Sequence, residues 1–355
     1  MEHEVPVRPR VELSARDREI LKDVVHTFLL SGVPVSSRAV AKHSRHGVSA
    51  ATIRNVMADL EELGYLDQPH TSAGRVPTGP GLHLYIENLM ETRDLPAEER
   101  RQIEGELAGS ARDSGQLIGT ATQLLSRLSG QIGIVVTPVF GDTVLRAVDF
   151  VPLSDRRVLC VVVSKNGFVE NKLIETDEEL SREELVRISN YLTESFRGQT
   201  LRTIREQLLT RMSEERAQVD ALLARAIRLA SLGLEPGVEP ELVIQGTSSL
   251  LAHPELGDVE RVRRLLDAFA ERQRLVALLS QCLDGTGVRV LIGKDSEVTS
   301  DLGLTLVARS WGTEESARGT LGILGPARMP YDRIIPLVDY LGESLGRALE
   351  ESANR

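Results

Sequence analysis

The sequence predicts a multidomain α+β protein. An N-terminal winged helix-turn-helix is followed by an α/β sheet domain that a mainly helical segment interrupts. Three observations carry this prediction. Residues 48–76, VSAATIRNVMADLEELGYLDQPHTSAGRV, read as an amphipathic helix running into a short β-hairpin. Short runs rich in Val and Ile occupy 131–175 and return after Gly285. Between them, residues 200–283 are dominated by apolar series at helical spacing.

The first helix runs from about Ser14 to Leu30, with Ile20, Leu21, Val24, Val25, Phe28 and Leu29 as its apolar stripe, and Ser31-Gly32 ends it. Ser36 or Ser37 can cap a short second helix carrying Ala39, Val40 and Ala41. A turn through His46-Gly47 leads to the third helix. Ser49 is its N-cap, because a hydroxyl there accepts from a backbone N–H that has no partner within the helix. Ile53, Val56, Met57, Leu60 and Leu63 face a core; Ala51, Arg54, Asn55 and Ala58 fall on the other side. Gly64 stops this helix, and Gly74 sits where the turn of a wing needs a glycine.

A small, cationic, amide-bearing helix face suits a DNA major groove, where Arg pairs with guanine, Asn with adenine, and alanines permit close approach. Ala50, Ala51, Arg54 and Asn55 are therefore the candidates for reading base edges. Arg38, Lys42 and Arg45, with Ser49 and Thr52 at the helix start, are the candidates for the DNA backbone. His70, Thr71, Ser72 and Arg75 form the wing, with Arg75 expected on or in the minor groove. Residues 1–90 hold 10 Lys+Arg against 11 Asp+Glu, so overall charge does not carry this reading. Local segregation does, since no acidic residue occurs between Asp23 and Asp59. The net charge of −10 comes almost wholly from residues 91–355, with 32 Lys+Arg and 41 Asp+Glu.

Past Leu95-Pro96, residues 97–129 read as helix, interrupted at about Gly109–Gly115. QIGIVVTP, VLRAVDFVPL, RRVLCVVVS and FVENKLIE then read as strands, with SDRR and SKNG as tight turns between neighbours, and a helix follows over about Arg182 to Phe196. Leu201, Ile204, Leu208 and Leu222 mark one helical stripe and Leu265 and Phe269 another; these stripes can supply a dimer interface or pack within one subunit. ELVIQGTSSLLAHPEL between them is a short strand-like run and a loop. The β pattern returns in VRVLIGK, LTLVARSW and RGTLGILGP, and a last helix spans about Asp332 to Glu350. From composition, one interrupted sheet domain and a third independent domain are equally compatible with this order.

Other functions find little support. No run of eighteen apolar residues occurs, and MEHEVPVRPR has no hydrophobic signal-peptide core, so a soluble, cytoplasmic chain without membrane contact is expected. Two cysteines are too few for a disulfide framework or a zinc site, and Cys160 in RVLCVVVS reads as a buried small hydrophobe. His43 and His46 lack further ligands nearby. The stretch Gly285 to Lys294 has the wrong spacing for a phosphate loop, and no nucleophile elbow exists, so no catalytic residues, metal or cofactor are expected and the chain is not read as an enzyme. Aromatic residues at 3% leave too few stacking platforms for a single-stranded RNA binder. A winged-helix regulator whose sheet domain binds a small effector is the alternative function.

PVSSRAVAKH, VSAATIRNVMADLEELGYLDQPHTSAGRVPT and LGILGPARMPYDR together resemble the heat-inducible transcription repressor HrcA family, over nearly the whole chain. The resemblance implies a bacterial repressor that binds double-stranded DNA at an inverted-repeat operator, the CIRCE element, ahead of chaperone operons, and that is derepressed on heat stress. It implies a homodimer and a GroEL-type chaperonin as partners. It also implies a GAF-like fold for the sheet domain and a dimerising role for the helical insertion. The expected organisation is then a winged helix over 1–95, a GAF-like domain over 96–199 and 285–355, and the insertion over 200–284. Two departures stand out: Gly79-Pro80-Gly81-Leu82-His83 replaces the family's Asp-Lys-Gly-Tyr-Arg run, and Pro330 replaces an Asp.

Overall fold

A computed structural model describes residues 13–353 apart from 44–47, 71–72, 92, 112, 155, 215–220, 234–239, 249–262, 264–266, 268, 270, 284–286 and 313–317. The chain mixes helix and sheet in two compact units. The first joins the N-terminal residues through Arg93 to two later segments, Ile292–Thr305 and Pro326–Arg333; the second holds Asp94–Leu291, Leu306–Gly325 and the residues from Ile334 on. The N-terminal unit thus recruits chain from far along the sequence, which no local pattern announces.

In the first unit, α1 (Ala15–Ser31) opens with a reciprocal cap: the Asp17 N–H donates to Ser14 Oγ at 3.2 Å and the Ser14 N–H to Asp17 Oδ2 at 3.1 Å. It closes at Gly32, whose φ of 70° reverses the chain. Then follow α2 (Ser37–His43) and α3 (Ala50–Glu62). β1 (Leu66–Asp67) and β2 (Val76–Pro77) pair antiparallel, and Val35, two residues before α2, forms an isolated antiparallel bridge to Arg75 with 2.8 Å hydrogen bonds in both directions. α4 (Gly79–Leu84) runs on into one π-helical turn, Tyr85–Leu89.

The second unit begins with α5 (Ala97–Ser110) and α6 (Ser114–Ser129). Next come β3 (Ile132–Val136), β4 (Leu145–Ser154), β5 (Arg157–Ser164) and β6 (Val169–Glu175). Helices α7 (Arg182–Phe196), α8 (Leu201–Glu214) and α9 (Ala221–Gly233) precede β7 (Leu242–Gln245) and α10 (Arg272–Ser280). β8 (Val288–Ile292), α11 (Glu297–Leu302, part of the first unit), β9 (Leu304–Trp311), β10 (Gly319–Pro326) and α12 (Tyr331–Ala353) complete the order.

The strands expected in one sheet form two. β3 lies between β7 and β10 in a five-stranded sheet of order β7-β3-β10-β9-β8, with Ile134 opposite both Gly322 and Ile244. β4, β5 and β6 form a separate antiparallel meander whose two turns fall at SDRR and SKNG, the two tight turns the sequence predicts. Its inner face, through Val148, Phe150, Val158, Cys160, Val162 and Ile174, shares one core with α7, α8 and α9. The block 200–284 is accordingly not set apart from what precedes it: α8 and α9 pack with the meander, and β7 joins the sheet of β3.

This geometry corrects three of the expected interface residues. Leu201, Ile204 and Leu208 are 0–1% exposed inside their own chain, so they cannot present an apolar stripe to a partner. Phe269 is half-buried; the side chains of Leu222 and Leu265 lie outside the described residues.

Cys160 does behave as a small core hydrophobe. It is fully buried, Gly233 packs so closely that a Cβ there would stand 2.6 Å from its sulfur, and desolvation pushes its thiol up to about 12. Cys282 is buried as well, and burial raises its thiol too. Burial thus disfavours the reactive thiolate of both cysteines and closes off access to them while the chain is folded. The folded protein should therefore leave both cysteines unlabelled by a disulfide reagent at pH 8 and take up two equivalents in urea; stoichiometric labelling without denaturant would contradict the packing described.

Candidate nucleic-acid interface

α3 presents two faces because of how it is seated. Ile53, Val56, Met57 and Leu60 are buried, as are Ile20, Leu21, Val24 and Val25 of α1, and α3 lies against both α1 and α2. That arrangement leaves Ala51, Arg54 and Asn55 exposed, with Ala50 half-exposed beside them. Ser49 caps the helix as the sequence indicates, accepting from the Thr52 N–H at 3.2 Å. Its hydroxyl also shares a 2.9 Å hydrogen bond with Thr52 Oγ1, so these two backbone candidates form one polar corner at the helix start. The C-terminus closes as a Schellman motif: the Gly64 N–H reaches Glu61 O, the Tyr65 N–H reaches Leu60 O, and Gly64 adopts a φ of 82°.

Arg38 and Lys42 are exposed one helical turn apart on α2, while Val40 between them is buried. Arg45 lies outside the described residues, as do Thr71 and Ser72 of the wing. His70 is exposed, and its loop is closed by the Ala73 N–H donating to His70 O at 2.8 Å and Gln68 Nε2 donating to Ala73 O at 3.0 Å.

Two wing residues act differently from expectation. Arg75 turns back onto α3, pairing with Glu61 at 2.7 Å; its side chain is 18% exposed and its Nε is buried without a hydrogen-bond partner. It braces the hairpin against α3 instead of reaching outward. Nothing in the sequence marks this pair, because its two residues stand fourteen positions apart in different elements. Gly74 is required by close approach and not by a turn. It has no positive φ, but a Cβ there would stand 2.4 Å from the carbonyl carbon and oxygen of Val35. Gly81 meets a similar demand, lying under Tyr65 O with 2.1 Å to a would-be Cβ.

The result is a rigid helix end with exposed Arg and Asn, flanked by an exposed Arg/Lys pair. A guanidinium and an amide in such positions can make paired hydrogen bonds to base edges, and the α2 cations can meet phosphates. Among the described residues no group of His, Cys, Asp and Glu is arranged to hold a metal ion, and no helix is long and apolar enough to cross a membrane. Gly74→Ala should destabilise the fold by about 1–3 kcal/mol, read as a lowered melting temperature. A melting temperature equal to wild type would show that the Val35 contact is not tight.

The family model described as "HrcA protein C terminal domain" matches residues 115–335. The heat-inducible transcription repressor HrcA of Geobacter sulfurreducens is 42% identical over 96% of this chain and 99% of its own length. Those of Syntrophobacter fumaroxidans and Xanthomonas campestris pv. campestris are 35% and 37% identical, over 96% and 97% of the chain and 98% of each relative. A solved structure titled as a hypothetical protein at 2.2 Å resolution superposes with a TM-score of 0.58 at 26% identity, covering 96% of this chain and 100% of the other. With nearly full-length relatives at this identity, the chain belongs to the HrcA family of heat-inducible transcription repressors.

Proposed function

We propose that the chain represses heat-shock chaperone operons by binding, as a dimer, an inverted-repeat operator of the CIRCE type. In this reading residues 13–93 are a winged helix, α3 lies in the major groove, and the hairpin is the wing. The observation that carries it is the free face of α3, where Ala51, Arg54 and Asn55 are exposed opposite a fully buried apolar stripe. Arg54 and Asn55 read bases, Ala50 and Ala51 allow approach, and Arg38 and Lys42 hold phosphates. Arg75 acts through Glu61 to hold the wing in place.

Arg54→Ala should cost about 1–3 kcal/mol of operator binding and relax specificity at one base pair, whereas Lys42→Ala should weaken all sequences alike and flatten the salt dependence. Fluorescence anisotropy on a palindromic and a scrambled duplex reads both. An Arg54→Ala variant that binds the two duplexes as wild type does would remove the base-reading role.

One reading helix discriminates only a few base pairs, so choosing an operator within a genome calls for two helices fixed by two-fold symmetry. The outer face of the β4–β6 meander supports such a dimer better than α8 does. Val151, Leu153, Val169 and Leu173 are 39%, 54%, 55% and 51% exposed there, with Leu159, Val161 and Val163 half-buried between them. An exposed set of large apolar side chains of this size, broken only by Asp149 and Asn171 beside Val161, is uncommon on a monomer and fits a self-complementary contact. On this reading the dimerising insertion spans about β4 to α9, and the GAF-like domain consists of α5, α6, β3, β7 to β10 and α12. Leu173→Asp should shift the protein to monomer in analytical ultracentrifugation while leaving its melting temperature near that of wild type; an intact dimer would place the interface elsewhere.

The family resemblance supplies a GroEL-type chaperonin as the partner that links activity to heat. If the operator-competent form is marginally stable, chaperonin occupied by misfolded clients lowers its level. A change of about 1.4 kcal/mol shifts the ratio of forms tenfold, so a small difference in stability is enough.

A further inference from the structure

Within the first unit, one carboxylate oxygen ties two distant pieces of chain together. Asp295 Oδ2 accepts the Ile292 N–H at 2.6 Å, at the last residue of β8, and His83 Nε2–H at 2.5 Å, on α4. The His83 and Asp295 side chains are 27% and 34% exposed, so the bond is partly shielded from water. Gly79, at the start of α4, lies beside Ile292 O, with 4.0 Å to a would-be Cβ, so the backbones approach along with the side chains.

α4 is itself locked to the end of α3. Thr78 Oγ1–H donates to Gly64 O at 2.6 Å, the Thr78 N–H donates to Tyr65 O at 3.1 Å, and Gly81 lets the Tyr65 carbonyl press against α4. Thr78 Oγ1 in turn accepts the Gly81 N–H at 3.2 Å, capping the helix. The hydrogen-bonded path therefore runs from the end of β8 through Asp295 and His83 to α4, and from α4 to the C-terminal end of the recognition helix.

We propose that His83 and Asp295 are positioning residues for DNA binding, a clasp that fixes the pose of α3 and the wing from a segment more than two hundred residues away in sequence. This rests on reading the first unit as the DNA reader. The clasp needs a donor at Nε2 and does not need His83 to touch DNA. It also gives His83 a role in this chain although the basic pair of the family motif is absent after the wing.

His83→Ala removes the donor and leaves Asp295 free to keep its own turn. It should weaken binding of a labelled palindromic duplex by about three- to tenfold, the range for one partly screened charge-assisted hydrogen bond. It should also speed amide hydrogen exchange in residues 79–89 and 60–66. His83→Gln, whose amide nitrogen can stand where Nε2 stood, should restore both. Should His83→Ala fail to fold, His83→Asn, polar but one bond too short to reach, takes its place with the same expected losses. Wild-type affinity and exchange in the Ala or Asn variant would overturn the clasp, and so would a loss that Gln does not restore, since that would implicate ring packing. If wild-type protein showed no preference for the palindrome, the repressor reading would fall, and the proposed role in DNA binding with it. The exchange data would still decide whether the physical link exists.

Discussion

The seam between α1 and α3 is the constraint on which the rest of the first unit depends. Four side chains of each helix are buried there, and each such burial contributes about 1.5–3 kcal/mol. The seam also decides direction: with Ile53, Val56, Met57 and Leu60 turned inward, Arg54 and Asn55 have no choice but to face out. A one-residue rotation of α3 would expose Val56 and bury an arginine, at the cost of an unpaired charge in an apolar contact. The small residues around the seam serve the same end. Gly74 and Gly81 let the β1–β2 hairpin and α4 lie directly on backbone carbonyls, so the helix is held at its end as well as along its length.

The body of the chain solves a different problem. Its Val- and Ile-rich strands have to bury apolar faces without merging into one sheet, and the linkages decide how. β4, β5 and β6 are joined by turns too short to allow anything but neighbouring antiparallel strands, and their inner face is covered by α7, α8 and α9. β3 is followed by a longer connection through a 3₁₀ turn at Phe140–Asp142 and is free to pair with strands that arrive more than a hundred residues later. Arg225 fastens α9 to the loop before α7 through Glu178 at 2.5 Å and to the first turn of α7 through Glu184 at 2.8 Å, and these solvent-accessible pairs set orientation more than stability. One outward sheet face keeps its valines and leucines uncovered within the single chain, which is where the proposed two-fold contact draws its support.

The sequence by itself determined what is local. The cap at Ser49, stops at Gly32 and Gly64, the buried stripe of α3, and the two tight turns of the meander are all legible, because each depends on residues within about one helical turn or one hairpin. Tertiary structure decided everything that depends on partners distant along the chain. The tie of Arg75 to Glu61, the Val35 bridge, the split into two sheets, the burial of Leu201, Ile204 and Leu208, and the joining of Ile292–Thr305 to the N-terminal unit leave no periodic trace. The physical reason is that hydrophobic periodicity records which side of an element is buried and carries no information about what buries it. The apolar stripe of α8 shows this directly: its spacing marked a buried face, and only the packed structure could tell a neighbouring helix from a second subunit.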